Sequence, residues 1–265
     1  MKKVLLSIGL SSMVLASMAP LASAETKSAT SDGKVGFIVD EEGTTPPVNP
    51  TDPTDPEEPE LPEGPGTTGA LRLDRVSHID FGKNNKLSAT AQNYYALFET
   101  DTADKTKQYP TSLQITDARG ADHLGWKLEV KNDGVFTNEN SKKITGAQIT
   151  LSSLEVKGFS NQQPGMFPTL TNTSQMISTG QEVSLLSAAD NKDSGSGTGI
   201  WTMHAGTIAT KTSGQGLDGT GTEGTVDETK KDRNPAVKLM IPKGQIIQED
   251  TTYKTDLVWS LTDAP

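Results

Sequence analysis

The sequence predicts an all-β protein, an antiparallel β-sandwich or a barrel-like domain with long glycine-rich loops. Short segments that alternate apolar and polar residues recur along the chain between turn-forming sequences, as half-buried strands do. No apolar stripe with helical spacing runs for three turns without glycine or proline. The predicted strands are residues 71–76, 112–116, 124–130, 147–151, 183–187, 237–241 and 253–261. Residues 175–189 come nearest to a helix, although their second half favours a strand.

The first 24 residues have the three-part pattern of a secretory signal peptide. Lys2 and Lys3 precede an apolar run over residues 4–15, and Ala22-Ser23-Ala24 place small residues before a cleavage point at Glu25. The apolar run is too short to span a hydrocarbon core of ~30 Å, so no direct membrane insertion is expected. Because the C-terminus has no apolar stretch with a basic tail, a covalent sortase-type anchor is not expected either.

Residues 25–66 are expected to hold one short strand followed by a spacer. Residues 34–39 have strand composition but need partners from elsewhere. Residues 44–65 contain eight of the fifteen prolines, and residues 40–63 contain nine acids and no base. Fixed φ angles and like charges predict either an extended polyproline-type spacer, with a reach of roughly 70 Å, or a plain disordered linker. The folded domain is then residues 67–265, with strand 34–39 joining it.

Charge and composition exclude several classes of protein. The net charge is −10, and no basic patch could hold phosphates, so nucleic-acid binding is not expected. The absence of cysteine excludes disulfides, thiolate metal sites and cysteine nucleophiles. The residues His78, His123 and His204 form no catalytic or metal-binding motif, and the pairs Asp101/Asp104 and Asp190/Asp193 carry little information. The sequence therefore predicts a protein that is not an enzyme and holds no cofactor or metal.

Two Trp-x-Leu motifs are the most distinctive feature of the chain. Trp126 and Leu128 share one face of a predicted strand, and Trp259 and Leu261 do the same near the C-terminus. Both motifs could face the core, or both could form an exposed apolar strip that binds a sugar ring or a partner strand. In a third arrangement, one motif is buried and the other is partly open. If both rings are buried, replacing either one by alanine is expected to cost ~3–5 kcal/mol. Trp201, with methionine in place of leucine, is a third candidate.

Around these motifs the chain resembles the WxL-domain surface proteins of low-GC Gram-positive bacteria. The resemblance rests on the order of the two motifs, the second of them ending the chain, and on the Asp/Pro repeat after a short Gly-Phe segment. Further matching residues are Asp117-Ala118-Arg119-Gly120, Asp80-Phe81-Gly82, Tyr94-Tyr95-Ala96 and the glycine-spaced approach to Trp201. The resemblance covers roughly residues 33–265 and is that of a minimal member consisting of the WxL domain only.

The resemblance implies a secreted protein held non-covalently on peptidoglycan at the cell surface, acting as a binding or scaffold component. Implied partners are a membrane-anchored WxL-interacting (DUF916-type) protein and other WxL proteins. The candidate binding residues are Trp126, Leu128, Trp259, Leu261 and Trp201.

Two other functions stay open at this point. An adhesin would display its loops and acidic spacer to host extracellular matrix proteins, and its binding would survive loss of wall association. A wall-glycan hydrolase would need two carboxylates ~5–9.5 Å apart in a groove.

Overall fold

The computed structural model describes residues 27–83, 85–120, 125–159, 164–190, 195–212 and 232–263. The predicted signal peptide, His123 and Asp193 lie outside these residues. The chain divides into two compact units, residues 1–37 and residues 38–265. In the first unit, the described residues 27–37 form no strand.

The second unit is built from strands, as the sequence predicts. In the described residues the strands are β1 (Leu71–Val76), β2 (Gln92–Leu97), β3 (Glu99–Thr100), β4 (Gln108–Tyr109), β5 (Ser112–Asp117), β6 (Trp126–Asn132), β7 (Phe136–Thr137), β8 (Lys143–Ile144), β9 (Gln148–Ser152), β10 (Leu154–Gly158), β11 (Thr169–Leu170), β12 (Ser174–Ser178), β13 (Glu182–Ala188), β14 (Gly199–Ala205), β15 (Arg233–Ile241) and β16 (Leu257–Asp263). The only helical turns among the described residues are 3-10 turns at Pro164–Met166 and Ile208–Thr210. The helix candidate at residues 175–189 is two strands, β12 and β13.

The strands form three four-stranded sheets and two short hairpins. Sheet I has the order β1-β5-β14-β10, sheet II β11-β13-β6-β16 and sheet III β12-β9-β15-β2, while β3-β4 and β7-β8 pair separately. All of these strand pairs are antiparallel. The sheets in the described residues have open ends, so the all-β prediction is confirmed as a sandwich and not as a closed barrel.

The three sheets share one hydrophobic core. Its largest fully buried side chains come from different sheets and include Trp126 and Leu128 on β6, Trp201 on β14 and Ile149 on β9. With only 13 aromatic residues in the chain, the indoles of Trp126 and Trp201 are the largest fully buried side chains of this core.

Residues 34–39 do not form the predicted strand. They lie in no strand, and the Phe37 side chain is 89% exposed. A strand sequence needs a partner to bury its apolar face, and this segment has none in the described chain.

Residues 44–65 also do not form the predicted extended spacer or plain disordered linker. Residues 44–65, which we call the strap, lie across sheet I. Gln114 on β5 accepts a hydrogen bond from the Val48 N–H at 2.9 Å and donates one to the Pro46 carbonyl at 3.1 Å. On β14, the Thr202 hydroxyl donates to the Pro50 carbonyl at 2.9 Å. The proline-rich segment is therefore part of the folded unit.

The Asx-Pro repeat explains how the strap keeps its shape. A side-chain oxygen of Asn49, Asp52 and Asp55 accepts the backbone N–H two residues further on, at 3.1, 3.1 and 3.0 Å. These are Asx turns, which fix the backbone through local hydrogen bonds. Because they recur every third residue, the strap can lay Pro50 and Pro53 against the domain, where both are buried.

The strap covers the polar face of β5. All six residues of β5 are buried, with Leu113 and Ile115 in the core and the polar side chains between them under the strap. At its C-terminal end the strap runs beside β1, where the Val76 N–H donates to the Pro65 carbonyl at 2.9 Å. A Cβ on Gly64 would lie 2.1 Å from the Val76 carbonyl oxygen, so this approach requires glycine.

Candidate functional site

The two Trp-x-Leu motifs lie side by side on neighbouring strands of sheet II. Strands β6 and β16 pair with Leu128 opposite Leu261 and Val130 opposite Trp259. Residues directly opposite each other in an antiparallel pair project to the same face, so both motifs point to the core side of the sheet. The sequence places the motifs 133 residues apart; the sheet brings them together.

The first motif is completely buried. Strand β6 lies between β13 and β16, and Trp126, Leu128 and Val130 have no exposed surface. Alternation along the strand puts these three residues on the core face, while Lys127 projects outward and is exposed.

The indoles of Trp126 and Trp201 converge on one backbone carbonyl. The Gly197 oxygen accepts the Trp201 Nε1–H at 2.8 Å and the Trp126 Nε1–H at 3.4 Å. Gly197 has φ +75°, and a Cβ there would lie 2.4 Å from Trp126 Nε1. A buried indole N–H needs an acceptor, and this glycine supplies one for both rings. The ring of Phe167 packs edge-on against Trp201 at 4.8 Å between centroids.

The second motif is half-buried because β16 is at the end of its sheet. Leu257, Trp259 and Leu261 project to the core side but keep part of their surface exposed, and Val258 on the outer face is 44% exposed. Trp259 lines a small cavity with residues of sheets I and III, among them Met203 and Leu151. The Trp259 ring therefore packs against the edge of the hydrophobic core.

An ion-pair network fastens the end of β16 to sheet I. Arg119 binds the buried Asp117 carboxylate through Nε and Nη2, each at 2.9 Å, and its Nη1 contacts the exposed Asp263 carboxylate. Gly120 follows with φ +89°. The ion pair between Asp117 and Arg119 and the positive φ of Gly120 thus shape the chain directly after β5.

The five predicted binding residues thus fall into two groups. Trp126, Leu128 and Trp201 are fully enclosed, whereas Trp259 and Leu261 are accessible from solvent. Of the arrangements that the sequence allows, the structure therefore has the one in which one motif is buried and the other is partly open. The role of Gly197 was missed, because a backbone carbonyl that joins two distant tryptophans leaves no sequence signal beyond a glycine-rich stretch.

The pKa shifts of Asp101, Asp104 and His204 have local causes. Hydrogen bonds lower the pKa of Asp101, chiefly from the Asp104 N–H, and that of Asp104, chiefly from the Thr106 hydroxyl. A general acid needs the opposite, a raised pKa. Burial lowers the pKa of His204, whose Nδ1 lies 2.9 Å from the Gly206 carbonyl oxygen, which favours an enclosed neutral ring.

Two further features bear on function. The described residues contain no group of three or more His, Asp or Glu side chains that could hold a metal ion. Within the same residues, no helix has the length and apolar character needed to cross a membrane.

Comparison with known proteins identifies the family. A family model for the surface cell wall-binding WxL domain matches residues 24–265. No curated protein and no solved structure matches the chain. The family match covers the strap as well as all three sheets, and it agrees with the paired motifs on β6 and β16. This chain therefore belongs to the WxL family of surface cell wall-binding domains.

Proposed function

We propose that this protein is a scaffold component of a surface complex, held on peptidoglycan by its WxL domain and assembled with a membrane-anchored WxL-interacting (DUF916-type) protein. The family match to a cell wall-binding domain supports wall attachment. The observation that carries the finer proposal is the division of the motifs, one enclosed and one open at the end of sheet II.

In this proposal the two motifs have different tasks. A residue can contact a wall polymer only through accessible surface, and of the five candidate residues Trp259 and Leu261 have it. An indole ring next to an isobutyl group offers a flat apolar surface that a sugar ring could cover. Trp126, Leu128 and Trp201 are positioning residues, because they hold β6 and therefore β16 in place.

The first experiment measures retention of the purified chain on peptidoglycan sacculi. We expect Trp259→Ala and Leu261→Ala each to lower retention at least severalfold while the far-UV circular dichroism stays that of the native chain. Ile246→Ala is the matched control, since Ile246 is an exposed apolar side chain outside the strands and its truncation should leave retention unchanged. Equal retention of wild type and Trp259→Ala would overturn the assignment of the contact.

The second experiment adds the ectodomain of a WxL-interacting protein. A scaffold component should form a complex of fixed stoichiometry with that ectodomain, and sacculi should retain the complex. If sacculi retain the chain neither alone nor with the ectodomain, the proposed function fails as a whole.

A further inference from the structure

The outer edge of β16 is open. Strand β16 pairs with β6 on one side, and no strand among the described residues lies on its other side. A strand at the end of a sheet leaves every second N–H and C=O available to another strand. By contrast, the outer edge of β1 is covered by the end of the strap and by Thr67, whose N–H donates to the Leu73 carbonyl at 2.7 Å.

Strand β16 also lacks the usual protection of an edge. Over Leu257–Asp263 there is no proline, lysine or arginine, and the only charge is at its last residue. Natural edge strands are usually short, charged or interrupted, which prevents pairing with other chains. Because β16 has seven residues and none of these protective features, another strand could pair with its outer edge.

Elsewhere the chain carries a strand sequence that pairs with no other segment among the described residues. Residues 34–39 contain Val35, Phe37 and Ile38, which are 78%, 89% and 95% exposed. These are β-branched and aromatic residues, the types enriched in strands. Exposing three large apolar side chains within four residues is costly, and pairing with a sheet edge would bury part of them.

We propose that residues 34–39 of one copy add as an antiparallel strand to the outer edge of β16 in a second copy. One register matches the two sequences residue by residue. It places Val35 opposite Leu261, Gly36 opposite Ser260, Phe37 opposite Trp259, Ile38 opposite Val258 and Val39 opposite Leu257. All four apolar residues of the donor segment then meet the four apolar residues of β16.

The faces of the two strands agree with this register. Phe37 shares the face of Trp259, whose ring is half-open, and Ile38 shares the outer face with the exposed Val258. Continuing the register past Val39 brings Asp40 opposite Asp256, an unfavourable pair of exposed acids, and Glu42 opposite the exposed Lys254. The donor strand and the edge therefore match in apolar pattern, and the flanking charges favour neither this register nor another.

This inference goes beyond the proposed function and does not depend on it. A donor strand would cover part of the Trp259 ring, so self-association and wall binding are expected to compete for the edge of β16. Self-association is measured on the purified chain without wall material, so its failure leaves the wall-binding proposal standing.

The first test is sedimentation velocity of the secreted chain, residues 25–265, over a concentration series. We expect reversible association that Phe37→Asp weakens at least tenfold. Ile246→Asp is the matched control, because Ile246 is also 89% exposed but lies in no strand, and it should leave association unchanged. A chain that stays monomeric up to about 1 mM, the range of weak association, would overturn the proposal. Equal weakening by both substitutions would also overturn it.

The second test fixes the register by cross-linking. Because the chain has no cysteine, single introduced thiols report only on each other. A mixture of the Ile38→Cys and Val258→Cys chains should form disulfide-linked heterodimers under mild oxidation. A mixture of Ile38→Cys and Thr262→Cys is the control, since its thiols would be four residues, roughly 13 Å, out of register.

Equal yields from the two mixtures would contradict the proposed pairing. A disulfide formed within one chain of the doubly substituted Ile38→Cys, Val258→Cys protein at high dilution would show pairing inside a single copy and would overturn the intermolecular proposal.

Discussion

Strands β6 and β16 carry the same Trp-x-Leu motif on the same face of the same sheet, yet their tryptophans have different surroundings. Trp126 is enclosed and hydrogen-bonded to the Gly197 carbonyl, whereas Trp259 packs at the rim and keeps exposed surface. The difference follows from sheet order, because in the described part of the chain β6 has a neighbouring strand on each side and β16 has one. The motif fixes which face a ring projects from; the position of its strand fixes how far the ring is buried.

Trp126→Ala is the substitution with the largest expected effect. It removes a fully buried ring from the centre of the core, and we expect the free energy of unfolding to fall by about 3–5 kcal/mol, measured by urea denaturation. Trp126→Phe should cost less, because it keeps an aromatic ring. A loss no greater than that of Trp259→Ala would contradict the difference in burial.

Gly197→Ala tests whether the two indoles depend on their shared carbonyl. The added Cβ would clash with Trp126 and with Ala188, so we expect a loss of about 3 kcal/mol by urea denaturation. Gly244→Ala is the control: Gly244 also has positive φ, +78°, but nothing lies within 4 Å of the added atom. Equal losses would mean that backbone strain alone, and not the contact with Trp126, accounts for the effect.

Trp259→Ala is expected to cost about 2 kcal/mol in the same measurement, below the range predicted for a fully buried ring. The reason is that part of the ring is already exposed to solvent in the folded chain. A loss as large as that of Trp126→Ala would show that the Trp259 ring is fully buried in solution.

Asp263→Ala should have the smallest effect on stability, less than about 1 kcal/mol, because its carboxylate is mostly exposed. We still expect faster amide hydrogen exchange at the end of β16, which loses its link to Arg119. The control is Asp133→Ala, which removes an exposed ion pair with Lys131 at the end of β6. Unchanged exchange in β16 would show that the backbone pairing with β6 is sufficient to hold that end.

Local pattern was enough to predict the strands whose faces alternate. Strand β1 has the predicted bounds, β5 and β13 extend the predicted segments by one or two residues, and β9 is shifted by one residue. Strands β10 and β12 were not predicted, because β10 alternates over only four residues before Gly158 and β12 does not alternate. Their positions follow from pairing with β14 and β9.

The errors concern segments whose structure depends on distant partners. Residues 34–39 have the composition of a strand, but composition does not supply a neighbour. The strap has the composition of a free linker, yet Gln114 and Thr202 hold it on sheet I. Nothing local in a proline-rich sequence distinguishes an unbound segment from one that binds a polar sheet face.

The sequence by itself determined the all-β class, the family and the face of each motif, because strand alternation and the two motifs are local properties of the chain. Only the tertiary structure decided that the motifs would lie side by side, that one would be enclosed and the other open, and that the acidic segment would cover sheet I. Those outcomes depend on which strands become neighbours, and pairing across more than a hundred residues is set by the packing of the whole core.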